Sequence, residues 1–93
     1  MTTNQLSKIV INALEELKDF DIQTIDVKKI SSITDIMIIA SGNSNRQVKA
    51  LADKTIEAVK KKKIQPLGAE GIQQGDWALI DLGDVIVQAV GSD

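Results

Sequence analysis

Apolar positions recur along this chain with two periods. Leu6, Ile9, Val10, Ala13, Leu14 and Leu17 follow the i, i+3, i+4, i+7 spacing of an amphipathic helix. Thr2 and Gln5 have the spacing of a capping box at its start, and residues 19–21 close it. Residues 23–28 alternate, with Ile25 and Val27 on one face, and predict a half-exposed strand. The run from Asp35 to Ala40 is short, β-branched and continuously apolar after its first residue, which predicts a strand buried on both faces. Beyond Ser41-Gly42 the helical period returns from about Asn45 to Lys62. Val48, Leu51, Ala52, Thr55 and Val59 form its inner stripe, and Ser44 and Gln47 repeat the capping-box spacing. Pro66 makes residues 64–69 an edge or irregular strand, and 71–75 read as a loop. Residues 76–81 and 84–90 predict two strands joined at Leu82-Gly83, with Gly83 free to take positive φ in a tight hairpin. The order α-β-β-α-β-β-β, in a single domain over residues 1–93, predicts an α/β fold with a mixed five-stranded sheet flanked by two main helices.

Composition narrows the chemistry. The chain has 93 residues and contains no Cys, His or Tyr, which excludes disulfides, thiolate metal sites and histidine acid/base catalysis. The longest apolar run, Ile36 to Ala40, is far short of the roughly 20 residues that cross a bilayer. With no secretory pattern at the N-terminus, a cytoplasmic protein without membrane contact is expected. The net charge is only −2, but it is unevenly spread. No Lys or Arg follows Lys63, while Glu70, Asp76, Asp81, Asp84 and Asp93 do, so the last thirty residues carry −5 and the first sixty-three +3. The acidic third points to a basic partner surface. The run Lys60 to Lys63 suits a helix C-terminus or a nucleic-acid contact; with a net negative charge and only Phe20 and Trp77 available for stacking, no direct nucleic-acid site is expected.

Two constellations could carry chemistry. Residues 41–47 join a strand to a capped helix, whose first amides could hold a phosphate, although neither common glycine-rich phosphate motif is present. Asp81 and Asp84 flank a tight turn and could share a magnesium ion, but further ligands are lacking and turn chemistry explains Asp84. The alternative these features leave open is an enzyme or a nucleotide-binding domain; with the fold that the resemblance below implies, it becomes a minimal nucleotidyltransferase-like enzyme. Trp77 at a sheet rim suits a binding hot spot, and Arg46, the only arginine, suits pairing with a carboxylate.

Ser32-Ile33-Thr34-Asp35, the strand after it, and Ala40 to Val48 together resemble the signature of the ribosomal silencing factor family (RsfS, or Iojap). Pro66 to Gly71, Asp76-Trp77 with Leu79-Ile80-Asp81, and Gly83 to Val87 match the same family in order and spacing, so the resemblance covers roughly residues 4–90. It implies a nucleotidyltransferase-like fold without that activity, and therefore no catalytic residue, cofactor or metal. It also implies a translational repressor that binds the large ribosomal subunit through its protein numbered fourteen and blocks joining with the small subunit. Members often form homodimers, so a homodimer is a possible state. Arg46, Glu70, Trp77, Asp81, Leu82, Gly83 and Asp84 match motif positions and are the expected partner surface. The sequence departs from the family pattern at Met37, where an aromatic is usual, at Leu82, where Tyr is usual, and at Gln88, where His is usual. Members also continue past the last strand with an Arg- and aromatic-containing tail, where this sequence has Gly91-Ser92-Asp93.

Overall fold

The computed structural model describes residues 2–18, 20–72 and 76–91. The elements are α1 (Thr3–Leu14), β1 (Asp21–Asp26), β2 (Ile36–Gly42), α2 (Asn45–Lys61), β3 (Gly68–Glu70), β4 (Trp77–Asp81) and β5 (Val85–Gly91). The sheet runs β1-β2-β5-β4-β3. β2 and β5 are parallel at its centre, and the other neighbours are antiparallel. The expected mixed five-stranded α/β architecture is therefore present.

Both helices lie on the same face of this sheet. Ile36, Ile38 and Ala40 of β2 pair with Val85, Val87 and Ala89 of β5, and Ile80 and Ala78 of β4 continue the rows. All of these join one core cluster with Leu6, Val10 and Leu14 of α1 and Val48, Leu51, Ala52 and Val59 of α2. Five strands about 4.8 Å apart need roughly two helix diameters, about 20 Å, to cover one side. Two helices are thus enough for one face and leave none for the other. The shortest molecular dimension, 21 Å, accommodates a sheet and one helical layer.

This arrangement corrects the reading of β2 as buried on both faces. Its residues alternate between buried and half-buried along the whole strand, because only one side meets helices. β1 also starts and ends two residues earlier than its pattern suggests. Asp26 Oδ1 accepts the Lys28 amide, and Ile30 and Ser31 donate to the Val27 carbonyl, so the chain has turned before residue 28. Ile25 and Val27 consequently do not share a face: Ile25 is on the helix-free side and Val27 is buried.

The caps explain where the helices begin and end. Thr2 and Gln5 form the full reciprocal capping box. α1 stops at Leu14 because the next amides, Glu16 and Leu17, bond three residues back and tighten the chain; Asp19, expected at this end, lies outside the described residues. At α2, Ser44 accepts the Gln47 amide, but the Gln47 side chain reaches back to the Asn43 amide and donates to the Lys18 carbonyl. The second capping box is thus opened to tie the α1–β1 connection to the start of α2. At the other end, Lys63 donates to Lys60 and Ile64 to Val59, a Schellman turn with Lys63 at φ 62. Gly83 takes φ 91 at the first central position of the β4–β5 turn, closed by the Leu82 amide on the Val85 carbonyl, as the sequence predicts. β3 is confined to residues beyond Pro66, and residues 73–75 of the expected loop lie outside the described set.

Candidate functional site

The register places a defined set of side chains on the helix-free face. One row runs Ile25, Met37, Ile86, Asp81 and the next Gln23, Ile39, Gln88, Leu79, Glu70; a third carries Asp21, Ser41, Val90 and Trp77. Apolar residues occupy its middle, with Gln88 as a single amide between Ile39 and Leu79. Trp77 is 41% exposed and Ile25 39%, and the central residues are half-buried only by one another. A bare apolar surface of this kind is unusual for a sheet face in contact with water alone and marks a contact surface.

Its charge is one-sided. The five strands contain Asp21, Asp26, Glu70 and Asp81 and no lysine or arginine. Asp21 stands at one corner of the helix-free face, Glu70 and Asp81 along the opposite margin, and exposed Asp76 precedes Trp77. An apolar centre with an acidic margin suits a partner with apolar side chains inside a basic ring.

Local structure fixes the margin. Trp77 packs over Gly71: a Cβ there would come within 2.6 Å of the Trp77 carbonyl and 2.8 Å of its ring, and Gly71 has φ 79. Asp81 Oδ1 accepts the Gly83 amide at 2.9 Å, which ties this carboxylate to the turn. Asp84 Oδ2 accepts from the Thr3 hydroxyl at 3.4 Å.

The residues expected at the partner surface divide. Glu70, Trp77 and Asp81 share the helix-free face. Gly83 and Asp84 lie in the turn at its Asp81 end. Leu82 is 8% exposed and belongs to the core cluster, so it faces inward. Arg46 is exposed at the start of α2, where β2 ends, and makes no ion pair among the described residues. Trp77 and Asp81 are about 13 Å apart along β4, so Arg46 and the turn occupy opposite ends of the sheet. Residue-by-residue reading missed Ile25, Met37, Ile39, Leu79, Ile86, Gln88 and Val90. Their signal was present: apolar residues on both parities of β2 and β5, with only two helices to cover them.

Structural bonds take up part of the alternative sites: at the start of α2 the Asn43 and Gln47 amides donate to the Gln47 and Ser44 side chains. Among the described residues no group of three His, Cys, Asp or Glu could hold a metal ion, and no helix is long and apolar enough to cross a membrane.

Among the described residues, the fold is a two-layer α/β domain with both helices on one face of its sheet. The family model described as "Ribosomal silencing factor during starvation" matches residues 1–92. The ribosomal silencing factor RsfS of Chromobacterium violaceum is 42% identical over 90 residues, 97% of this chain and 74% of that protein. RsfS of Haemophilus influenzae is 43% identical over 88 residues, 95% of this chain and 86% of that protein. A crystal structure of a C. violaceum protein superposes with a TM-score of 0.93 at 42% identity, covering 97% of this chain and 75% of the other. One from Bacillus halodurans superposes with a TM-score of 0.90 at 33% identity, covering 98% and 85%. The chain belongs to the ribosomal silencing factor family.

Proposed function

We propose that this protein represses translation by steric exclusion: it docks through its helix-free sheet face on the large ribosomal subunit and blocks joining with the small one. The docking partner is the large-subunit protein numbered fourteen, the protein acts in the cytoplasm, and no catalysis is involved. The observation that carries this reading is the apolar, acid-rimmed face, which has the chemistry of a contact surface for a basic protein. Met37, Ile39, Leu79 and Ile86 supply the desolvated centre, and Trp77 adds an aromatic anchor at its margin. Asp21, Glu70, Asp76 and Asp81 raise the encounter rate and set orientation. Gly83 and Asp84 touch the partner at the Asp81 end, and Arg46 forms a separate contact at the far end.

A homodimer through the same face would bring two acidic margins together. Like charges oppose that pairing, so the basic partner wins the face at moderate salt and high salt favours the dimer. Titration of the isolated, labelled ribosomal protein tests the assignment. Trp77→Ala should weaken binding by about 2 kcal/mol, roughly 30-fold. Leu79→Asp should abolish it while the far-ultraviolet circular dichroism stays unchanged. Wild-type affinity in a folded Leu79→Asp variant would refute the docking face.

A further inference from the structure

The helix side of the molecule carries a charge pattern that this docking leaves unused. Lys60, Lys61, Lys62 and Lys63 follow one another at the end of α2. α1 runs antiparallel to α2, with Glu16 meeting Lys54 near one end and Gln5, Lys8, Ile9 and Lys62 lining one open hollow at the other. Lys8 thereby meets Lys62, and with Lys60, Lys61 and Lys63 next to it in the chain, five lysines lie at this end of the helical layer as a lysine pole. Only Lys61 has an acidic partner, Glu57 at 3.2 Å; among the described residues Lys8, Lys60, Lys62 and Lys63 make no ion pair.

Helix-end electrostatics account for part of this pole only. The dipole favours cations within the last turn, which covers Lys60 and Lys61. Lys8 lies in the N-terminal half of α1, where the dipole offers it nothing. Lys63 stands beyond the helix, at the left-handed C′ position of the Schellman turn where glycine is favoured. A lysine held at φ 62 among unpaired lysines adds charge at a position where stability alone would select glycine.

We propose that this lysine pole binds the phosphate backbone of double-stranded RNA. The sequence expectation of no nucleic-acid site rests on the net acidity and on the shortage of stacking aromatics; the acidity belongs to the last thirty residues, at −5, while the first sixty-three, which hold the lysines, carry +3. Stacking serves single strands, whereas duplex RNA is recognised through its shape and phosphates, which lysines alone can engage. The identity of the RNA as ribosomal rests on the proposed docking: on a particle rich in RNA, the pole would supply a second, electrostatic contact beside the protein contact of the sheet face.

The test is fluorescence anisotropy with a short mixed-sequence RNA duplex over a series of salt concentrations. The wild type should bind, with affinity falling steeply as salt rises. Replacing Lys8, Lys60, Lys62 and Lys63 together by Gln should cost about 10-fold or more in affinity and flatten the log–log salt slope by about 3. Replacing the same four by Arg should retain binding, which separates charge from folding. Leu79→Asp should bind RNA like the wild type, because it lies on the other face. Absence of RNA binding by the wild type, or equal binding by the Gln variant, overturns the proposal. Because Ile30 and Ile33 are exposed, vesicles of anionic phospholipid are a necessary comparison; equal binding to them at the same salt would also overturn it, in favour of a membrane surface. RNA binding with no binding to the isolated ribosomal protein would count against the docking face and leave the lysine pole standing.

Discussion

Two positions put opposite demands on the left-handed region of the backbone. Lys63 sits at φ 62 without the freedom of glycine. Lys63→Gly should therefore stabilise the fold by about 1 kcal/mol, a rise of roughly 4–8 °C in Tm for a domain of this size. Thermal unfolding followed by circular dichroism checks this, and an unchanged or lower Tm would show that the lysine is held by contacts worth more than the strain. Gly71 is the opposite case, a glycine whose φ of 79 and contact with Trp77 leave no room for a side chain. Gly71→Ala should cost about 1–3 kcal/mol and displace Trp77. Because Trp77 is the only tryptophan, its emission spectrum reports the displacement directly, and an unshifted spectrum in a folded variant would contradict the packing. Gly83 was legible in the sequence because the hairpin spacing demanded it. Gly71 was not, since its constraint comes from an indole that arrives from a different strand.

Among the elements, the helices were the most readable, because each carries its apolar stripe and cap within a few residues of chain. The strands were read as strands, with bounds shifted at β1 and β3, but β2 was misread in its burial. The apolar run of β2 looks the same whether its second face meets helices or a separate protein, and only the count of covering elements decides. For the same reason the face centred on Met37, Ile39, Leu79 and Ile86 was invisible one residue at a time, whereas Trp77, Asp81 and Glu70 stood out by type. The opened capping box of α2 depends on Gln47 meeting the Lys18 carbonyl, a contact 29 residues away in sequence that no local pattern encodes. Lys54 of α2 is further joined to Glu16, just past the end of α1, at 3.0 Å. The hydrogen bond to Glu16, and then its charge, raise the Lys54 pKa above the ordinary 10.5. A raised lysine pKa stabilises the folded state fully below 10.5 and loses that contribution as pH climbs through the higher folded-state value. Chemical denaturation across alkaline pH should show the wild type and Glu16→Gln converging above that range; a constant difference would mean the pair contributes nothing through ionisation.

At the scale of the whole molecule, lysine and arginine are kept off the sheet strands, while α2 mixes Asp53 and Glu57 with its lysines. The sheet has acids and no lysine or arginine in its strands, and the helical layer ends in a cluster of lysines. A domain of two layers needs only one covered sheet face to hold its core, and the proposed docking uses the other. That separation is what lets a substitution such as Leu79→Asp affect docking without removing a core contact. The most direct measurement of the central claim is light scattering as large and small ribosomal subunits join, with this protein added beforehand to the large subunits. The wild type should lower the extent of joining in a saturable manner, and Leu79→Asp should have no effect. Undiminished joining at saturating wild-type protein, or equal inhibition by folded Leu79→Asp, would contradict docking through this face.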